Sequence, residues 1–359
     1  MNGYGYSVES IEIERSSERK PVEDFLHRLD LSYDSDVTHT VVIRDGGTIL
    51  ATGSLAGNIL KCIGVDPSFR GDALTNTIVT ELEMEAYRRG VDHLFLFSRP
   101  KNLAFFEGLG FTKVGEFPGE VVLMEKPGGG LTAWAQSCLS GARQDGLLVE
   151  EPPPSTALVV NCNPFTLGHR YLVEQASTAA RGAGELVHLF VVSEDRSLFP
   201  EKVRRRLVEE GTRDMDNVRV HPGGPYIISN ATFPTYFVRD EGEATRIHAG
   251  LDVHIFGSRI APLFGIRRRM VGQEPYCPVT AAYNEAMKNI LPSYGVQVEE
   301  IPRLEKGGKA VSASTVRELI RQDRLDEVRP LVPDTTWNYL ISEESAPVRE
   351  QIRRESRRH

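Results

Sequence analysis

The densest chemistry in the chain is the stretch Asn161-Cys162-Asn163-Pro164-Phe165-Thr166-Leu167-Gly168-His169. It directly follows the apolar run at 157–160, which reads as a β-strand. Pro164 restricts Asn163 to an extended or turn conformation, so the strand stops there. Gly168 leaves space for a backbone or a ligand to approach closely. His169 then falls in the first turn of a helix predicted over 168–180, where free N–H groups and the helix dipole favour an anion. Main-chain donors beside an imidazole N–H make a cradle for a nucleotide triphosphate without a P-loop. The same residues also suit a tight turn and an ordinary helix start. Cys162 reads as a small buried residue, since a nucleophilic thiol needs a base and a lowered pKa.

Two further clusters bear on the same chemistry. Ser312-Ala313-Ser314-Thr315-Val316-Arg317 opens the last major helix, predicted over 314–323 with Ser314 as its N-cap. Arg317 in the first turn would oppose the helix dipole, which an anion between the helix end and the guanidinium would relieve. Phe199-Pro200-Glu201-Lys202-Val203-Arg204 follows a predicted strand at 186–192. Most of its charges read as a solvated helix face.

The elements that must hold these clusters alternate strand and helix, which implies a parallel sheet with ligands at the carboxyl ends of its strands. In the second half, strands are predicted at 157–160, 186–192, 253–256 and 296–298. The first half reads as a hairpin at 40–54, a strand at 59–65, a helix at 73–89 and a strand at 94–97. The runs Pro127-Gly128-Gly129-Gly130 and Pro152-Pro153-Pro154 mark an interdomain passage. The expected division is residues 1–126, a linker at 127–155 with one short helix, a second domain at 156–345 and a charged, solvated or partly helical tail at 346–359.

Composition narrows the classes. The 359 residues are 40% hydrophobic and 26% charged, enough to bury substantial cores. A net charge of −8 argues against a nucleic-acid partner, because counterion release rewards a basic surplus. No apolar run approaches the ~20 residues that span a bilayer, so no membrane partner is expected. The first twenty residues lack the apolar core of a secretory signal. The four cysteines form no CxxC pair. A reduced, cytoplasmic protein with no protein-held metal site is the expectation.

Taken together, Thr166-Leu167-Gly168-His169, Phe199 with Arg204 and Leu207, and Ser312–Arg317 resemble the signatures of the HIGH superfamily of nucleotidyltransferases. Thr166 stands where that family's leading histidine is common. The stretches at 161–170, 193–200, 231–237 and 331–336, and Gly272-Gln273-Glu274-Pro275 with Thr280, Tyr283 and Asn284, resemble the citrate lyase ligase family over nearly the whole chain. That resemblance implies an acid–thiol ligase. It would spend ATP to acetylate, through acetyl-adenylate, the thiol of a phosphopantetheine-type prosthetic group on the acyl carrier (gamma) subunit of citrate lyase, releasing AMP and pyrophosphate. Acetate and Mg²⁺ would accompany ATP. His169 and Thr166 would meet the α- and β-phosphates, and Ser312, Ser314 and Arg317 the β- and γ-phosphates. Asn161, Asn163, Phe165, Gly168 and Arg204 would complete the nucleotide site. A plain adenylyltransferase acting on phosphopantetheine or a mononucleotide shares the phosphate signatures, and a non-enzymatic scaffold for the lyase is the other class.

Leu94 to Pro100 and Asn102 to Phe111 resemble the end of a GNAT acyltransferase fold. The implied architecture is α/β, a GNAT-like mixed-sheet domain followed by a Rossmann-like parallel-sheet domain. The GNAT pyrophosphate loop would fall at Arg70-Gly71-Asp72-Ala73-Leu74-Thr75. There Ala73 and Thr75 depart from the usual pattern, and Asp72 adds an unfavourable charge. That departure argues against acetyl-CoA chemistry. It leaves either a grip on the prosthetic arm through Arg70, Gly71 and Ala73 or a structural domain.

Overall fold

A computed structural model of the protein describes residues 6–69, 72–140, 152–193, 197–227, 241–274 and 278–354. The chain forms two compact units, Met1–Leu131 with Phe233–Ile255, and Thr132–Thr232 with Phe256–His359.

The first unit contains strands β1 (Ser7–Ile11), β2 (His39–Asp45), β3 (Thr48–Ala56), β4 (Ile59–Val65), β5 (Leu94–Ser98), β6 (Thr112–Phe117) and β7 (Val121–Lys126), with helices α1 (Ser16–Arg28), α2 (Asp72–Arg88) and α3 (Leu103–Gly108). The strands form one mixed sheet in the order β1-β2-β3-β4-β5-β7-β6. Side-chain alternation along β2 divides its two faces. Val41 and Ile43 share a core with Ile78, Val79 and Leu82 of α2, whereas Val42 between them joins Phe25 and Leu26 of α1. Strands β4 and β5 run parallel and pair only through Ile59–Phe95 and Leu60–Leu96. Beyond that pairing lies a groove of about 700 Å³, lined in part by Ile63, Val65, Phe97, Arg99, Lys101 and Asn102.

Helix α4 (Gly130–Ser140) starts at the boundary between the units, and α7 (Glu241–Ile255) belongs to the first. Glycines let α7 lie close to β6. A Cβ on Gly115 would sit 2.5 Å from Ile255, and one on Gly250 2.8 Å from the Phe117 ring.

The second unit contains strands β8 (Ser155–Val160), β9 (Leu186–Val191), β10 (Val218–Pro222), β11 (Ile266–Gly272) and β12 (Gln297–Ile301), and the small hairpin β13 (Glu305–Lys306) and β14 (Lys309–Ala310). Its helices are α5 (Leu167–Gly182), α6 (Glu201–Gly211), α8 (Ala261–Phe264), α9 (Pro278–Ile290), α10 (Ala313–Arg321), α11 (Asp334–Ile341) and α12 (Ala346–Arg354). The main sheet is wholly parallel in the order β10-β9-β8-β11-β12. Strand order therefore reverses beside β8, and the crevice at the carboxyl ends of β8 and β11 is the expected ligand position. Helix α5 buries Val173, Ala176, Ser177 and Ala180, an i, i+3, i+4, i+7 stripe that faces the core containing Leu158 of β8 and Leu189 of β9.

Three local expectations change. Residues 253–256 are not a strand, because Ile255 ends α7 and a π-helical turn, Phe256–Ile260, follows. A short apolar run suits a buried helix as well as a buried strand, and here the helix prevails. The strand of that region is β11, whose Arg267-Arg268-Arg269 run masks its character; Arg269 is itself buried, stacked 4.4 Å from the Phe256 ring centroid. The third concerns the tail, which is helical to Arg354 and places Val348 and Ile352, one turn apart, in the core.

Candidate active site

The stretch 161–169 leaves β8 at the crevice. Cys162 takes a left-handed conformation (φ 54°), uncommon for a non-glycine residue, and is buried. Burial pushes its thiol pKa well up, so it stays a protonated packing group. Thr166 is the N-cap of α5 and forms a reciprocal capping box with His169. The Thr166 Oγ1 accepts from the His169 N–H at 3.4 Å, while the Thr166 N–H donates to His169 Nδ1 at 3.1 Å. With Nδ1 accepting, the ring proton resides on Nε2. Burial pushes the His169 pKa down to about 4, and the positive charge of Arg303 adds to the shift. The ring is therefore a neutral Nε2–H donor near pH 7. The next two amides, of Leu167 and Gly168, have no intrahelical acceptor.

Two buried guanidinium groups hold this stretch. Arg204 of α6 is 0% exposed; its Nε donates to Phe199 O at 2.9 Å, and its Nη1 lies 2.9 Å from Asn161 O and 2.8 Å from both Asn161 Oδ1 and Val192 O. Arg317 of α10 is 7% exposed and donates from Nη1 to Asn163 O at 2.5 Å. Asn163 also accepts at Oδ1 from the Phe199 N–H at 3.0 Å. The Phe165 ring is in the core, 6.2 Å from and nearly parallel to the His169 ring, and Thr336 Oγ1 donates to its carbonyl.

The late helix is brought in by close packing at Gly168, where a Cβ would sit 2.5 Å from Val311 O. Ser312 follows, and it, not Ser314, is the N-cap of α10. Its backbone is extended, and its Oγ accepts from the Thr315 N–H at 3.1 Å. Ser314 lies in the first turn with its Oγ 2.9 Å from that of Ser312. Either serine suits a cap by type, and the backbone conformation decides between them.

Asn161, Asn163, Phe165, Thr166, Gly168, His169, Arg204, Ser312, Ser314 and Arg317 thus gather at one end of the sheet. Within that set Arg204, Thr166 and Phe165 are enclosed and position their neighbours, while His169 and the α5 amides supply donors. Arg303, which carried no sequence motif, joins them through its charge. Its only signal was a basic residue just past a predicted strand. Ala73 is an exposed residue early in α2, and Arg70 and Gly71 lie outside the described residues, as do residues 231–237 and Pro275.

A family model described as the citrate lyase ligase C-terminal domain matches residues 155–340. The chain is 41% identical to a citrate (pro-3S)-lyase ligase from Klebsiella pneumoniae, covering 90% of this chain and 92% of that protein. It is 38% identical to the protein of the same name from Escherichia coli K12, covering 91% and 92%. Among solved structures, an acyl-CoA N-acyltransferase from Pseudomonas aeruginosa aligns with 33% of this chain and 98% of its own, at 14% identity and a TM-score of 0.30.

Two outcomes are expected of this geometry. Arg204→Met strips the donor from the carbonyls of Asn161, Val192 and Phe199. It should lower the melting temperature by more than about 5 °C, and Arg204→Lys should not restore it, since one ammonium cannot replace the planar fork. An unchanged melting temperature would contradict the strut role. In a ¹⁵N-histidine spectrum assigned with His169→Gln, the ring should be neutral and Nε2-protonated at about pH 6, with a midpoint near 4. A midpoint at the ordinary histidine value of about 6.5 would refute the assignment.

Proposed function

Because the chain belongs to the citrate lyase ligase family, we propose that it uses ATP and acetate to acetylate the thiol of the phosphopantetheine-type prosthetic group on the acyl carrier (gamma) subunit of citrate lyase, with release of AMP and pyrophosphate. One observation carries the nucleotide part of the reading: a neutral imidazole, oriented by a capping box, stands beside open amides at a helix start next to the topological switch point.

In the first half-reaction an acetate oxygen attacks the α-phosphorus. The bond to the β-phosphate breaks, giving acetyl-adenylate and pyrophosphate. In the second, the carrier sulfur attacks the acyl carbon, the C–O bond to AMP breaks, and the thiol proton passes to solvent. The protein contributes position and charge stabilisation rather than covalent chemistry. His169 Nε2–H and the Leu167 and Gly168 amides serve the α- and β-phosphates, and Thr166 acts through His169. Ser312, Ser314 and Arg317 serve the β- and γ-phosphates, and Arg204 keeps Asn161 and Asn163 in place through the backbone. Mg²⁺ would arrive on the triphosphate, where phosphate oxygens and water complete its octahedron.

The groove between β4 and β5 suits the prosthetic arm, since it combines apolar Ile63 and Phe97 with cationic Arg99 and Lys101. Arg70, Gly71 and Ala73 would meet its pyrophosphate-like end. Cytoplasmic residence fits the three buried cysteines that are free thiols among the described residues, Cys62, Cys138 and Cys162. No helix among the described residues is long and apolar enough to cross a membrane.

ATP–pyrophosphate exchange should proceed without carrier and only when acetate is present; exchange that ignores acetate but requires phosphopantetheine or a mononucleotide would instead identify an adenylyltransferase. His169→Ala should lower that exchange about a hundredfold or more with the melting temperature retained, and a wild-type rate would remove His169 from the site. Charge reversal at the groove, Arg99→Glu with Lys101→Glu, should raise the KM for carrier while leaving acetate-dependent exchange intact. An unchanged KM would leave the first unit a structural role.

A further inference from the structure

Arg303 lies two residues beyond the end of β12, and its guanidinium does not stay over its own strand. Its Nε donates to Gln273 O at 2.6 Å, and its Nη2 pairs with the Glu274 carboxylate, both in the segment that follows β11. Since β11 lies between β12 and β8, that reach carries the positive charge one strand towards the loop that holds His169. The platform beneath it is tied together. Gly272 and Ile301 pair at the ends of their strands, and buried Asn284 donates from Nδ2 to Gly272 O at 3.0 Å and to Glu300 Oε1 at 3.2 Å. The Glu274 side chain is 9% exposed and that of Arg303 28%, so the carboxylate is enclosed while part of the guanidinium faces the crevice end of the sheet. A pair arranged this way fixes the plane of the fork before any ligand arrives, which is the arrangement that suits a phosphate with several oxygens. The His169 ring senses the same charge.

We propose that Arg303 is a second phosphate-contacting cation of the nucleotide site, held in place by Glu274 and Gln273 and directed at the β- and γ-phosphates of ATP. The inference rests on the phosphate site described under the proposed function. It adds a residue that no motif marks, and it gives the Gly272-Gln273-Glu274 segment a task, which is to aim that residue. Neutralising the two terminal phosphates favours their departure as pyrophosphate.

The test uses the full chain and three readouts: calorimetric binding of ATP and of AMP, the His169 titration midpoint, and acetate-dependent exchange. Arg303→Gln should weaken ATP binding by about 10- to 100-fold, leave AMP binding nearly unchanged because AMP lacks the β- and γ-phosphates, and raise the His169 midpoint. Arg303→Lys should recover part of the ATP affinity. Unchanged ATP affinity with a shifted midpoint would overturn the contact, reducing Arg303 to a distant charge. Equal loss of ATP and AMP binding with a fall in melting temperature would overturn it in favour of a structural strut. If the wild-type chain binds ATP but shows no acetate-dependent exchange, the ligase reading fails, whereas the role of Arg303 is still decided by the ATP and AMP affinities.

Discussion

Buried carbonyl oxygens at the end of β8, and the two guanidinium groups that satisfy them, are the constraint on which the rest of the site depends. A chain that leaves a parallel strand into a crevice must present backbone acceptors where no neighbouring strand can pair them. Arg204 takes those of Asn161, Val192 and Phe199, and Arg317 takes that of Asn163. The dependence is mutual, since a buried cation is tolerated only where it is fully hydrogen-bonded. The loop therefore has one conformation that serves both, and that conformation delivers Thr166 to the cap of α5 and His169 to the crevice.

This constraint divides labour among residues that look alike in the sequence. Arg204 and Arg317 both sit among motifs that suggest phosphate contact, yet each spends described donors on the backbone. Thr166 is fully buried and contributes by setting the tautomer of its partner. A neutral donor is an apt choice beside a triphosphate. It stabilises developing charge on the oxygens without paying to bury a full positive charge, and the cationic share falls to arginines held by carbonyls or a carboxylate.

The features legible in the sequence were those set by local chemistry. The turn at Asn163-Pro164, the helix start at Thr166–His169 and the serine cap before Arg317 follow from residue types at fixed offsets, and the α/β character follows from alternation of strand and helix signals. What escaped depends on distant partners. Whether Ser312 or Ser314 caps α10 is decided by backbone angles. The apolar run at 253–256 is helical, and the arginine-rich β11 is a strand, because tertiary burial overrides a short local pattern. Arg303 could not be singled out, since its relation to His169 exists only once β11 and β12 are placed side by side.

The central claim is that acetate oxygen becomes bonded to the α-phosphorus of ATP. The most direct measurement follows acetate labelled with ¹⁸O at both oxygens through a complete turnover with carrier, weighing the AMP released. Attack on the α-phosphorus followed by thiol attack at the acyl carbon predicts that AMP carries one ¹⁸O atom. AMP without label, formed together with acetylated carrier, would contradict the acetyl-adenylate route and the roles given to the loop that holds His169.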